Sequence, residues 1–291
     1  MEALLDARDY ALASSLTLAA RRRLAGFAAG EQRSPSTGGG IEFAEYRPYA
    51  PGDEPRRIDW SLFLRWRKLM VKLAAEEKEL TLAVLIDATR SMDYGSPGKL
   101  RYAKRLACIL AGAALSGGNR ASIAVMGASL VEALPPERGK LPFPELVKTV
   151  ERIQPSAGSS PAACARQFSA RYGGKCLALV LSDFLYPDWP AVVGSLGASG
   201  SDVLAVQILS PDELEPLPLG EALLQDSEDG DETPLHIDAP TAARYRDELA
   251  GFTGELRAAC ARKGMAWALA STERDPASLL KGELAGRSFI C

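Results

Sequence analysis

The sequence predicts an α/β protein: a doubly wound, mostly parallel sheet flanked by helices, preceded by a turn-rich N-terminal extension. Three observations predict it. The short, nearly uncharged apolar runs Thr81-Leu82-Ala83-Val84-Leu85-Ile86 and Cys176-Leu177-Ala178-Leu179-Val180-Leu181 read as strands buried on both faces, as central strands of a parallel sheet are. From residue 78 onward, strand-like runs alternate with stretches of helical spacing, the pattern of right-handed βαβ crossovers. Both runs lead into an aspartate, Asp87 and Asp183, at the strand ends where open α/β sheets collect ligands.

Residues 4–27 carry Leu5, Leu12, Leu16 and Leu24 at helical spacing in an Ala-rich stretch, which predicts one or two amphipathic helices. Residues 34–40, rich in Ser, Pro and Gly, break that pattern and predict the most flexible loop. Ile41, Phe43 and Tyr46 predict a short strand. Pro48, Pro51-Gly52 and Pro55 then force turns ahead of an aromatic and basic run over residues 60–68. Val71-Lys72-Leu73 is expected as an extended piece leading into the core sheet. After Asp87 a helix begins at about Lys99, where Leu100, Ala103, Ala107, Leu110 and Ala114 recur at three and four residues until Gly117-Gly118 stops it. A strand over 121–126, an edge hairpin through 130–134 and helices over 143–153 and 162–172 follow. The strand ending at Asp183, a helix near Ala191 and a strand over 203–209 continue the alternation. A weak strand at 234–237 precedes Asp238-Ala239-Pro240, a helix start whose Tyr245, Leu249, Phe252, Leu256 and Cys260 form one apolar face. Residues 265–270 are the last strand and 276–284 the last helix. The expected division is an extension over residues 1–75 and a sheet domain over 76–291.

At 291 residues, 24% charged and 47% hydrophobic, the chain has ordinary globular composition and enough length for a large core. The richest apolar stretch, residues 106–115, is too short for a membrane span. Acids stand near the N-terminus, where a signal peptide carries positive charge, so a cytoplasmic location with no membrane span is expected. Cys108, Cys164, Cys176, Cys260 and Cys291 contain no Cys-x-x-Cys pair and indicate neither a disulfide framework nor zinc. His236, the lone histidine, sits in a strand-like run, which removes most nucleophile–histidine schemes. Charge is uneven. Residues 21–72 hold eleven basic against six acidic residues, and residues 212–232 hold nine acids with no Lys or Arg.

Asp87-Ala88-Thr89-Arg90-Ser91 places a carboxylate and two hydroxyls at alternate positions just past a buried strand. Such oxygens suit Mg²⁺ or Mn²⁺. The competing reading is that they cap the next helix, since Ser, Thr and Asp favour helix starts. With Ser182-Asp183 at the second strand end and Gly158-Ser159-Ser160 between the two, three loops converge on one sheet edge.

This arrangement resembles the metal-ion-dependent adhesion site of von Willebrand factor A domains, written Asp-x-Ser-x-Ser, then Thr, then Asp. The resemblance implies a Rossmann-like fold and a metal held by Asp87, Thr89, Ser91, Ser159 and Asp183. Thr89 stands where the pattern has Ser, and Ser159 where it has Thr; Ser160 remains an alternative for the second loop. A second resemblance spans nearly the whole chain. The block Glu42-Phe43-Ala44-Glu45-Tyr46-Arg47-Pro48-Tyr49-Ala50-Pro51-Gly52-Asp53-Glu54-Pro55-Arg56-Arg57-Ile58-Asp59-Trp60, then Leu69-Met70-Val71-Lys72, then the run from Asp87 to Met92 is similar to the bacterial family called domain of unknown function 58. That resemblance implies an A-like domain after the block and association with MoxR-type AAA ATPases.

Together these readings favour a non-enzymatic binding module whose cation keeps one coordination position for a partner's carboxylate, in an adaptor role within a chaperone-like assembly. Phosphoester hydrolysis at the same ion is the alternative. It has no second Asp two residues after Asp87, no Gly-x-x-x-x-Gly-Lys loop and no clustered His, but Asp93 and Lys99 lie nearby and keep it open. Nucleic-acid binding by residues 56–68, where cations alternate with aromatics, is disfavoured by a formal net charge of −3. Within the family block, Arg47, Asp53, Arg56, Arg57, Asp59 and Trp60 form either a docking surface or a clamp fixing the N-terminal segment on the domain, with Trp60 packed beneath it.

Overall fold

The computed structural model describes residues 3–16, 43–74, 80–138, 142–156, 158–174, 176–215, 220–225 and 232–284. They fall into two compact units, one holding residues 43–74 and the other the N-terminal helix together with the residues from 80 onward.

The N-terminal helix α1, Ala7–Ser15, opens with a reciprocal cap: Asp6 accepts from the Arg8 and Asp9 amides, and Asp9 accepts from the Asp6 amide. Nine residues are too few to hold a helix in water unaided. Leu12 and Ala13 are buried with Leu4 and Leu5 in the core of the sheet unit, and the Arg105 guanidinium holds Asp9 at 2.7 and 2.8 Å. The helix therefore belongs with the sheet, a boundary different from the 1–75 extension read from the sequence. The loop expected at 34–40 lies outside the described residues.

In the smaller unit, β1 (Phe43–Pro48) pairs antiparallel with β2 (Met70–Ala74), and α2 (Trp60–Trp66) lies between them in sequence. Val71-Lys72-Leu73 is extended, as expected, and pairs with the family block. The register Tyr46↔Lys72 and Arg47↔Val71, with the Asp59 amide donating to the Met70 carbonyl at 2.9 Å, satisfies the backbone locally.

The larger unit is a six-stranded sheet. Its elements in chain order are β3 (Thr81–Asp87), α3 (Lys99–Ser116), β4 (Arg120–Met126), β5 (Val131–Arg138), α4 (Phe143–Glu151), α5 (Pro161–Tyr172), β6 (Cys176–Ser182), α6 (Trp189–Gly197), β7 (Asp202–Leu209) and α7 (Pro211–Leu214). A two-stranded hairpin of β8 (Gly220–Gln225) and β9 (Glu232–Ile237) intervenes before α8 (Ala239–Arg262), β10 (Ala266–Ser271) and α9 (Pro276–Leu279). The sheet order is β10-β7-β6-β3-β4-β5, parallel throughout except for the antiparallel edge strand β5. This is the doubly wound, mostly parallel α/β arrangement that the sequence predicts.

Alternation along each strand sorts side chains to two faces. Leu82, Val84 and Ile86 of β3 join a core with α1, α3 and α4, whereas Ala83 and Leu85 face a second core with α5, α6 and α8. β6 and β7 divide in the same way, which is why these strands read as continuous apolar runs. Gly112 permits close approach on the first face: a Cβ there would lie 2.1 Å from Cε2 of Phe143.

Candidate functional site

In the parallel ladder Ile86 pairs with Leu181, so the next residues, Asp87 and Ser182, emerge side by side at the carboxyl edge with Asp183 one step further. Asp87 is buried. Its Oδ1 accepts from the Thr89 amide (2.9 Å) and the Thr89 hydroxyl (2.7 Å), and its Oδ2 accepts from the Ser182 hydroxyl (2.6 Å). Thr89 Oγ1 lies 3.1 Å from Ser91 Oγ. The first-loop trio is therefore one cluster, as the alternate spacing predicts. It does not cap α3: a 3-10 turn over Arg90–Asp93 intervenes, and the residue before α3 is Gly98.

Asp183 is also fully buried. Phe184, at φ 59, takes the left-handed conformation that costs a residue with a Cβ about 1–2 kcal/mol, and the tight turn it makes lets the Leu185 amide donate back to Asp183 Oδ1 at 3.0 Å. The Gln207 side chain donates to the Asp183 carbonyl at 3.3 Å. Asp183 Oδ2 accepts from Lys99 Nζ at 2.7 Å, and the same ammonium reaches Glu213 Oε1 at 2.5 Å. Glu213 is fixed in turn by the Ser210 amide, which donates to its Oε2 at 2.8 Å. The Tyr94 ring stands 5.9 Å from the ammonium.

The second loop reaches the same edge through different atoms from those expected. The Ser156 amide donates to the Ala88 carbonyl at 2.6 Å, the Ser156 hydroxyl accepts from the Ala128 amide at 3.1 Å, and the Ser160 amide donates to the Gly127 carbonyl at 2.9 Å. Ser159 is exposed. Among the described residues, no hydrogen bond joins the Ser159 or Ser160 side chain to Asp87, Thr89, Ser91 or Asp183. The structure thus brings together four of the five expected ligands and lays the fifth on a neighbouring loop.

Burial, then the charge of Asp183, pushes the Asp87 carboxyl up to about 7. Burial also works against the Lys99 ammonium, but Asp183 and Glu213 outweigh it and raise its pKa. The Tyr186 hydroxyl, 3.5 Å from Ser182 Oγ, is pushed well up by burial and then by Asp87. Asp183 and Glu213 share the Lys99 ammonium, while Asp87, within electrostatic reach of Asp183, is held by hydroxyl and amide donors. Among the described residues no three His, Cys, Asp or Glu side chains form a metal cage of their own. The donors are oxygen only, two carboxylates with two hydroxyls, and each carboxylate oxygen has a second lone pair. That donor set fits a hard dication that keeps several waters.

The family block forms an internal clamp within the smaller unit. Arg47 grips Asp53 through a fork at 2.8 and 2.5 Å, and Asp59 accepts from the Tyr46 hydroxyl (2.6 Å), the Ser61 hydroxyl (2.5 Å) and two amides of α2. The Ser61 and Tyr46 hydroxyls hold the Asp59 carboxyl down at about 2. Trp60 is not packed beneath the clamp, contrary to the sequence reading: it is 57% exposed, as Leu64 (74%) and Trp66 (63%) are. Arg56 is exposed as well, and the Arg57 side chain lies outside the described residues.

Sequence reasoning missed Ser182, Glu213 and Ser156 as members of this edge and placed Lys99 only near Asp87, without its partners. Lys99 had a signal. A lysine as the first residue of a helix sits at the positive end of the macrodipole, where acids are favoured, so it requires a compensating partner.

The family described as "Protein of unknown function DUF58" matches residues 45–253. The chain belongs to this family. An uncharacterized protein of Mycobacterium tuberculosis is 28% identical to it over 305 aligned positions, covering 97% of this chain and 93% of the relative. Among solved structures, an aerotolerance-related membrane protein from Bacteroides fragilis is similar to it at 16% identity and TM-score 0.45, covering 72% of this chain and 98% of that one. A von Willebrand factor type A protein from Catenulispora acidiphila is similar at 14% identity and TM-score 0.40, covering 76% of this chain and 44% of that one. The expectation of a cytoplasmic location is corrected: these neighbours include a membrane protein, and the shortness of apolar runs in one chain does not fix where it resides. Among the described residues no helix is long and apolar enough to cross a membrane.

Proposed function

We propose that this chain is a non-enzymatic protein-binding module, in which Asp87, Thr89, Ser91 and Asp183, with Ser159 from the adjacent loop, hold Mg²⁺ or Mn²⁺ at a metal-ion-dependent adhesion site. The observation that carries the reading is the pair of fully buried carboxylates at the ends of adjacent central strands, with the Thr89 hydroxyl bonded to Asp87 and the Ser91 hydroxyl bonded to Thr89. Two acids and neutral hydroxyls leave a dication electrophilic, and a carboxylate from a partner completes its coordination. The family resemblance read in the sequence suggests the partner class, a MoxR-type AAA ATPase served by this chain as an adaptor. The exposed Trp60, Leu64 and Trp66 beside a rigid clamp support a docking role for the block as well, since aromatics displayed on a fixed scaffold make good interface anchors.

The test is a pull-down of the cognate ATPase by wild type, Asp87→Ala and Asp183→Ala, each with Mg²⁺ and with EDTA. Metal-dependent capture by wild type, lost in both variants, is expected. Equal capture in EDTA and Mg²⁺ refutes the metal-bridged reading, and capture lost only on Trp60→Ala assigns binding to the extension.

A further inference from the structure

The most unusual group at this edge is a buried cation. The Lys99 side chain is 1% exposed and lies between Asp183, 0% exposed, and Glu213, 14% exposed, at 2.7 and 2.5 Å. Burying an ammonium at the positive end of a helix is costly on both counts, so two carboxylates are needed to keep it there. Three anchors fix its position: the Lys99 amide donates to the Tyr94 carbonyl at 3.1 Å, Glu213 is held by Ser210, and the Tyr245 hydroxyl donates to the Glu213 carbonyl at 2.7 Å. Each oxygen of Asp183 is already engaged, Oδ1 by the Leu185 amide and Oδ2 by Lys99.

We propose that Lys99 is a resident cation of the adhesion site, which sets its metal affinity by holding Asp183 on the protein side and cancelling one of three carboxylate charges. The proposal rests on the metal-binding reading above and specifies how that site is regulated. With all three acids ionised, Asp87, Asp183 and Glu213 against Lys99 leave two negative charges, which one divalent ion neutralises. The ammonium makes the edge foldable without metal, because Asp183 and Glu213 then have a counter-charge of their own. It also weakens the hold on the ion, because it repels a second cation and occupies the Asp183 oxygen that would turn toward it. A resident lysine of this kind keeps occupancy reversible and open to a partner that adds its own carboxylate.

The experiment is Mn²⁺ and Mg²⁺ titration of the full chain by calorimetry, with urea unfolding in EDTA alongside, for wild type, Lys99→Met, Lys99→Arg and Glu213→Gln. Lys99→Met is expected to bind Mn²⁺ at least about tenfold more tightly than wild type, since one repelling charge within a few ångströms is removed. It should also unfold at lower urea in EDTA and recover when Mn²⁺ is added. Lys99→Arg keeps the charge and should stay near wild type, whereas Glu213→Gln removes a compensating anion and should bind more weakly. Measurable wild-type binding with equal or weaker binding by folded Lys99→Met overturns the proposal and leaves the adhesion reading standing. Folded wild type and Lys99→Met that both ignore metal overturn the adhesion reading itself. If Lys99→Met stays unfolded even in Mn²⁺, Glu213→Gln decides, and binding as tight as wild type overturns the proposal.

Discussion

Replacing Asp87 with Asn isolates what it costs to keep a carboxylate at this strand end. Burial and the neighbouring Asp183 charge raise its pKa from the ordinary 3.8 to about 7. Between about pH 4 and about pH 7 the unfolded chain releases this proton and the folded chain keeps it. The folded state binds more protons in that window, so stability falls as pH climbs through it. The contribution is whole below the unfolded value and gone above the folded one. At about 1.4 kcal/mol per pKa unit, a rise of about three units is worth on the order of 4 kcal/mol. Asn preserves an oxygen acceptor for the Thr89 amide and hydroxyl but does not ionise. Urea unfolding of wild type and Asp87→Asn in EDTA, at pH 4 and pH 8, measures the difference with other titrations subtracted. The expected result is a shift in relative stability toward the variant by about 4 kcal/mol between the two pH values, shrinking when Mg²⁺ is present. A difference that stays constant within about 1 kcal/mol refutes the argument that Asp87 is an uncompensated buried acid.

Two further outcomes follow from contacts around the same core. Ser182→Ala removes the hydroxyl that donates to Asp87 Oδ2 and accepts from the Phe184 amide; it should cost about 1–3 kcal/mol in urea unfolding, and a cost near zero would show that neither bond matters. Gly112→Ala sets a methyl 2.1 Å from the Phe143 ring, so overpacking of about 1–3 kcal/mol should lower the calorimetric melting temperature, and an unchanged transition would mean that α4 shifts freely.

The fold was legible because its signals are local and repeated. Residues 81–86 and 176–181 are apolar on both faces, and two buried faces are what the doubly wound sheet supplies. The strand β4 was legible as a further short apolar run, whereas β8 went unread because its few apolar residues stand inside an acidic stretch that reads as a loop. The strand at residues 70–74 was legible as extended but not its partner, since nothing in Val71-Lys72-Leu73 says that it pairs with residues 43–48 in a two-stranded sheet. At the site, Asp87, Thr89 and Ser91 were readable from spacing alone because an alternate-residue loop keeps its members together. Lys99 and Glu213 were not, being 84 and 114 residues from the atoms they meet. Ser182 was passed over beside the more conspicuous Asp183, although it is the serine that touches Asp87. Trp60 was misjudged because a tryptophan's size argues for burial, while its place as the first residue of a short helix capped by Asp59 turns it outward.

The excursion between β7 and α8 begins at Leu209, on the same sheet edge as Asp87 and Asp183, and its opening turn carries Glu213 into their network. Lengthening or recomposing that excursion beyond Leu214 touches no strand of the six-stranded sheet. The sheet can therefore stay constant over evolutionary time while the rim that approaching molecules meet first is rewritten, so divergence among relatives in what they recognise need leave no trace in the core that holds them together.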